Sequence, residues 1–422
     1  MNQSSALLTW LHEQREIQKC TVRPISLNQY REWSWIAGAI RHRTGRYFSV
    51  VGIEDPLTGL RVPLLEQREI GTLAFIRRER NDGVELLVQA KLEPGDLGWS
   101  QLAPSVQATA SNLARVHGGA AQPFAELVTP NSPSHLDSRQ SEQGTRFLGK
   151  LNRNVLVTAD IPAHELPANL IWTPARELLG ALHIDHAVNT DARSVLVSSP
   201  WDLLVPGPPF GNGKDPWRQA LAASVGVVRE DALAAAKAQI CALRADGEVP
   251  VVRLEELDDW SLDLDGQVTV KGREYVVRQI EVQTNAREVA HWDQPIIDTS
   301  APTLVDLEVC VVDGVVEVDL AATIEAGLVH RAELGPTRIG PITGAGMALP
   351  DGARLLVEVR QSDEGGRFYQ DVAHYRLIQV LPDEPRPGHC RLTLGELWSL
   401  LAEGGWLTNE MRSALSLVLT WL

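Results

Sequence analysis

Apolar and polar residues alternate in short runs rich in β-branched side chains at residues 47–53, 70–77 and 84–92, and again at 275–282, 303–311 and 315–322. A two-residue period built from such side chains predicts strands. Asn81-Asp82-Gly83 and Val312-Asp313-Gly314 separate the last two runs of each set, and Asp-Gly is a pair that hairpin turns favour. Helical spacing predicts helices at 5–18, 24–35, 174–181 and 391–402. The Ala-, Leu- and Lys-rich stretch 217–243, free of proline, predicts a further connecting helix. The predicted class is α+β with mixed sheets.

The element pattern occurs twice because the sequence does. Residues 25–33 match 252–260, 44–50 match 271–277, 92–95 match 324–327, and 101–105 match 333–337. Arg139–Glu142 with Arg146-Phe147 then matches Arg360–Asp363 with Arg367-Phe368, and Arg193-Ser194 with Trp201 matches Arg412-Ser413 with Trp421. Constant order and spacing imply a tandem duplication. The expected organisation is an N-terminal helix (1–20), a first copy (21–204), a Pro/Gly linker with connecting helix (205–247) and a second copy (248–422).

Bulk properties narrow the class of function. With 44% hydrophobic and 22% charged residues, the 422-residue chain has an ordinary globular composition. A formal net charge of −15 argues against a nucleic-acid partner, which needs a basic face. It leaves room for a nucleotide-linked small molecule, since a few local cations hold one diphosphate. No apolar run reaches the roughly 20 residues of a membrane span. The first 18 residues lack the basic start and apolar stretch of a signal peptide. A cytoplasmic location is expected. Cys20, Cys241, Cys310 and Cys390 are widely spaced, so they read as small buried hydrophobes, with no metal-ligand spacing.

A duplication carries its own control: residues shared by the copies serve the fold, and polar residues in only one copy need another explanation. Gly45-Arg46 recurs as Gly272-Arg273, and Glu93 as Glu325. By contrast, Gln89 and Lys91 face Ala321 and Thr323, while Gln107 and Thr109 face Ile339 and Pro341. Asn112 faces Gly344, His117 faces Leu349, and His42 faces Thr269. Lys150, Asn152 and Arg153 face Asp371, Ala373 and His374. The first copy is therefore expected to carry the working site and the second a scaffold or decayed pocket. Trp292, in a polar setting, is a candidate to stack a base. No Gly-x-Gly-x-x-Gly, Walker loop, Gly-x-Ser-x-Gly or His-Glu-x-x-His is present.

Gln89-Ala-Lys91-x-Glu93-Pro94-Gly95, followed by Gln101-Leu-x-Pro104-Ser-Val106-Gln107-Ala108-Thr109-x-Ser111-Asn112, resembles the NDP-hexose 2,3-dehydratases of deoxysugar biosynthesis. His42–Phe48, Gln140-Ser141-Glu142, Asn152-Arg153-Asn154 and Asn285–Pro295 extend the resemblance over nearly the whole chain. It implies two Nudix-like domains, a homodimer, and two nucleotide-sugar pockets of which one works. The implied substrate is a dTDP-4-keto-6-deoxyhexose and the implied product a 3,4-diketo-2,6-dideoxy sugar, passed to an NADPH-dependent 3-ketoreductase. No redox cofactor is expected, because oxidation at C3 is matched by loss of oxygen at C2.

On this resemblance Glu93 or His117 is expected as base, His42 or His117 as acid, and Lys91 as the donor to the C4 oxyanion. Gln89, Gln101, Gln107, Thr109, Asn112 and Asn152 would orient the sugar, and Arg46, Lys150 and Arg153 would hold the diphosphate. Leu60-Arg61-Val62-Pro63 departs from the family's Trp-x-Gln-Pro in the first copy. A silent nucleotide-sugar binding protein and a Nudix-type hydrolase are the alternatives, although no acidic Nudix box occurs.

Overall fold

The computed structural model describes residues 5–26, 29, 32–114, 120–211, 213–245, 247–257, 260–262, 268–270, 275–299, 301–342 and 348–422. Among these, the strands form four sheets, a six-stranded and a seven-stranded sheet for each copy. In the first copy the small sheet runs Trp33–Ile36, Ala39–His42, Ser49–Asp55, Leu60–Glu66 and Phe147–Leu148. The large sheet runs Leu136–Ser141, Leu151–Thr158, Gly71–Arg80, Gly83–Leu92 and Leu170–Pro174, with Ser100–Pro104 and Val106–Ala108 paired beside this path. The second copy repeats both strand orders. Leu151–Thr158 runs parallel to Gly71–Arg80, as Val372–Gln379 does to Thr303–Val312, so both large sheets are mixed.

The hairpin at Asp313-Gly314 has φ of 50° and 80°, the pair of positive values that a type I′ turn requires. Ala37-Gly38, with φ of 52° and 78°, makes the same turn between Trp33–Ile36 and Ala39–His42. The described ends correct the helix expected at 24–35, of which residues 27, 28, 30 and 31 lie outside the described residues. Cys20–Pro24 and Trp33–Ile36 are strands, because pairing with distant Tyr275–Thr284 in the first case and with the adjacent Ala39–His42 in the second outweighs local helical spacing. The long helix expected at 217–243 is two helices, Pro216–Val225 and Glu230–Leu243. Thr393 takes the Val227 carbonyl (2.6 Å) and Arg229 pairs with Glu396 (2.9 Å), which holds the break open. The helix expected at 391–402 begins at Leu394 after strand His389–Thr393, where Thr393 and Glu396 form a capping box. Of the four cysteines only Cys310 is buried, and Cys241 is exposed.

Hydrogen bonding does not follow the division into copies. Cys20–Pro24 pairs with Tyr275–Thr284 of the second copy's small sheet, and Val251–Val252 pairs with Ser49–Asp55 of the first. The exchange is reciprocal. So is the crossing of two extended loops: Gly95 donates to the Gly365 carbonyl (2.8 Å) and Gly327 to the Gly144 carbonyl (2.8 Å). A Cβ on Gly95 would stand 1.7 Å from the Phe368 carbonyl oxygen, and one on Gly327 1.8 Å from that of Phe147. Only glycine permits this approach.

Helices Thr190–Ser198 and Asn409–Ser416 lie at the centre, every residue of each buried. One apolar cluster joins both copies around them, including Val195, Leu196, Ala414 and Leu415. Their arginines cross over: Arg193 donates to Ser413 Oγ (3.2 Å) and Arg412 to Ser194 Oγ (2.9 Å). Arg193 also reaches the Ser362 carbonyl and Arg412 the Ser141 carbonyl. These bonds satisfy two guanidinium groups that would otherwise be costly to bury. They also give a physical reason for the Arg-Ser repeat near the end of each copy. Among the described residues no helix is long and apolar enough to cross a membrane.

Candidate active site

A cavity of about 490 Å³ opens between the first copy's two sheets and a hairpin and loop of the second copy. That volume suits a drug-sized or sugar-nucleotide ligand. Lys91, near the end of strand Gly83–Leu92, donates to the Gln107 carbonyl (3.1 Å) and lies 3.8 Å from Glu93 Oε1. Gln107 accepts from Asn189 (2.9 Å), and Thr109 caps the short helix Ala110–Leu113 by accepting from the Asn112 N–H. Lys150 donates to the Glu69 carbonyl at 2.6 Å. His42 Nδ1 meets Thr44 Oγ1 at 2.7 Å, its Nε2 lies 3.4 Å from Glu32, and its ring stands edge-on to Tyr47. Burial lowers its proton affinity, against the pull of Glu32.

The second copy does more than support this wall. The segment between strands Tyr275–Thr284 and His291–Thr299 brings Arg287 onto Glu93 (2.5 Å) and onto the Leu92 carbonyl (2.9 Å). Trp292 follows, its indole N–H given to Gln294 (2.8 Å), with Gln294 in turn donating to the Gly366 carbonyl (2.8 Å). Arg367 lies over the Phe48 ring at 4.1 Å and donates to Gln67. Although burial opposes it, Arg287 and Lys91 hold the Glu288 carboxyl down at about 2.

Nine residues singled out in the sequence line this cavity: His42, Lys91, Glu93, Gln107, Thr109, Asn112, Lys150, Asn152 and Trp292. Four do not. Arg46 is exposed, and Gln89 and Gln101 are buried in the sheet away from the lining. Arg153 points to the other face of its strand from Asn152, as a two-residue period demands, and is held by Asp137 (2.7 Å) and the Val128 carbonyl (2.6 Å). His117 lies outside the described residues.

The cavity also holds chemistry that sequence comparison passed over. Carboxylate oxygens of Glu142, Asp191 and Glu364 all lie within 4.8 Å of one another. At an effective dielectric of about 20, two charges at that spacing repel by roughly 3 kcal/mol. Burial first, then Glu364, raises the Glu142 carboxyl to about 8, although Arg412 and Lys150 oppose the rise. Burial, then Glu364 and Glu142, lifts Asp191 well above the usual range, and burial then Glu93 raises Glu364. Burial lowers the proton affinity of Lys150. Three such carboxyls could converge on a cation, but Lys91, Lys150 and Arg367 already bring positive charge to them. The set is better suited to holding protons.

Three acids have a counterpart in the other copy, whereas Glu364 stands where the first copy has Gln143. Glu93, Glu142 and Asp191 correspond to Glu325, Asp363 and Glu410, all buried, with Asp363 raised to about 7 mainly by burial and Asp371. The lysines do not recur, being replaced by Thr323 and Asp371. Leu60, in the place that Trp292 takes in the second copy, packs against an apolar cluster containing Val62, Leu148 and Ala326.

The family model for NDP-hexose 2,3-dehydratase matches residues 4–198, 238–339 and 346–418. A dTDP-4-dehydro-6-deoxy-α-D-glucopyranose 2,3-dehydratase of Streptomyces violaceoruber is 29% identical, covering 97% of this chain and 96% of the relative. Proteins of the same name from Saccharopolyspora spinosa (28% identical, over 96% of this chain and 89% of the relative) and Amycolatopsis orientalis (27%, over 97% and 88%) also align along most of their length. With its model matched along most of its length, the chain belongs to the NDP-hexose 2,3-dehydratase family.

Proposed function

We propose that the protein removes water across C2 and C3 of a dTDP-4-keto-6-deoxyhexose, leaving a 3,4-diketo-2,6-dideoxy sugar. The observation that carries this reading is the end-to-end similarity to three dehydratases named for that substrate. The cavity supports it, with acids, cations and an aromatic ring inside a volume that fits a sugar nucleotide.

The ketone at C4 acidifies the C3–H bond. A base takes that proton and the electron pair moves toward the C4 oxygen, where a positioned cation lowers the barrier. The C4 carbonyl then re-forms, a C2=C3 bond is made, and the C2 oxygen leaves as water on gaining a proton. The C3 enol that remains takes a proton at C2 and gives up its hydroxyl proton. In this reading Lys91 stabilises the C4 oxyanion and Glu93 takes the C3 proton, the alternative base His117 lying outside the described residues. Lys150 and Arg367 suit the diphosphate, and Trp292 the nucleobase.

A Nudix-like ancestry for each copy, the division at 21–204 and 248–422, a homodimer, a cytoplasmic location and a hand-off to a 3-ketoreductase belong to the same reading. The test is incubation with dTDP-4-keto-6-deoxyglucose, a 3-ketoreductase and NADPH, which traps the unstable diketone. A dTDP-linked 2-deoxy sugar is the expected product, and its absence would refute the activity.

A further inference from the structure

Glu142 follows strand Leu136–Ser141, faces the cavity and is only 4% exposed. Both its oxygens are held. Asn152 donates to Oε1, and Asn409, from the second copy's central helix, donates to Oε2 at 3.2 Å. The orientation of Asn409 is set independently, because its own oxygen accepts from Thr190 Oγ1 at 3.1 Å. Two amide donors leave a neutral carboxyl group with one O–H to give, and the cavity is where it can be given.

We propose that Glu142 is the catalytic acid that protonates the departing C2 oxygen, with Asn152 and Asn409 as its positioning residues. This rests on the dehydratase reading. The proton moves from Glu142 to the C2 oxygen as the C2–O bond breaks, water leaves, and Glu142 becomes a carboxylate. The proton lost from the C3 hydroxyl during tautomerisation restores the pool from which Glu142 is reprotonated. Burial first, then the charged groups that face Glu142, set its resting state. Glu364, Asp191 and Glu410 favour the protonated form, and Lys150 and Arg412 oppose it. With the carboxyl at about 8, most of it carries its proton at neutral pH. His42, the acid expected from sequence, is bonded through Nδ1 to Thr44 and paired with Glu32, and burial disfavours its protonated form.

The experiment separates proton abstraction from loss of water. Wild type and Glu142→Gln are incubated with dTDP-4-keto-6-deoxyglucose in deuterated buffer, and C3–H exchange is followed by NMR. The ketoreductase trap reads 2-deoxy product from pH 6 to 9.5. Wild-type turnover is expected to fall as pH rises through about 8. Glu142→Gln is expected to lose at least a hundredfold in kcat and the alkaline limb, while retaining C3 exchange. Glu142→Asp should recover part of the turnover. Asn409→Ala should lower kcat several-fold with little change in KM and shift the alkaline limb.

Retained turnover in a folded Glu142→Gln, or equal loss of exchange and elimination, would overturn the assignment. If wild type itself forms no 2-deoxy product, the dehydratase reading fails instead.

Discussion

Arg287 of the second copy donates to the carboxylate of Glu93 in the first at 2.5 Å, so the cavity is closed by an ion pair that spans the duplication. Both partners are largely buried, and removing one leaves the other's charge without a match. Breaking such a pair costs about 3–5 kcal/mol. Arg287→Leu is therefore expected to lower the urea midpoint clearly and to reduce turnover by roughly a hundredfold. Arg287→Lys should recover most of the stability, and equal stability of Arg287→Leu and wild type would contradict the pair's role.

The loop crossing gives a sharper steric expectation. Gly327→Ala would drive a methyl group into the Phe147 carbonyl, although Gly327 itself does not line the cavity. Overpacking of this kind costs 1–3 kcal/mol or more. Denaturant unfolding should place Gly327→Ala well below wild type, and Gly95→Ala below it by a similar amount. A neutral Gly327→Ala would mean that the two loops do not cross as described.

Buried acids make stability depend on pH in a defined direction. Burial raises Glu333 to about 7, against the Ser141 hydrogen bond and Arg412, while its unfolded value is near 4.5. Because the folded state then binds more protons, stability falls as pH rises from about 4.5 to 7 and the loss is complete above that. Glu333→Gln should be close to wild type at pH 4.5, yet more stable at pH 8 by on the order of a few kcal/mol. Melting curves at both pH values check this, and an unchanged difference between them would refute it.

Lys150→Met tests the anion-binding wall. Removing this cation is expected to raise KM about tenfold with a smaller effect on kcat, since a diphosphate is bound equally in ground and transition states. A loss confined to kcat would place Lys150 at the chemistry instead.

What could be read in the sequence follows from the duplication. Lys91, Gln107, Thr109, Asn112 and Lys150 stood out because Thr323, Ile339, Pro341, Gly344 and Asp371 replace them. The same comparison hid Glu142 and Asp191, since Asp363 and Glu410 keep an acid at each position and so resembled shared framework. Glu364 and Arg367 were hidden for a spatial reason: they belong to the copy read as scaffold and reach the first cavity only because the loops cross. Strand periodicity placed the sheets well. Helical spacing misled at Pro24 and at Trp33–Trp35, where a partner more than 200 residues away fixes Cys20–Pro24 and a tight hairpin fixes Trp33–Ile36.

The central claim is that dehydration occurs in the cavity lined by Lys91 and not at its counterpart. The direct measurement is the ketoreductase-trapped rate of 2-deoxy sugar formation for wild type, Lys91→Ala and the mirrored Thr323→Ala. The expected result is a loss of at least a hundredfold for Lys91→Ala and wild-type turnover for Thr323→Ala. Full activity in Lys91→Ala, or an equal loss in both variants, would contradict it.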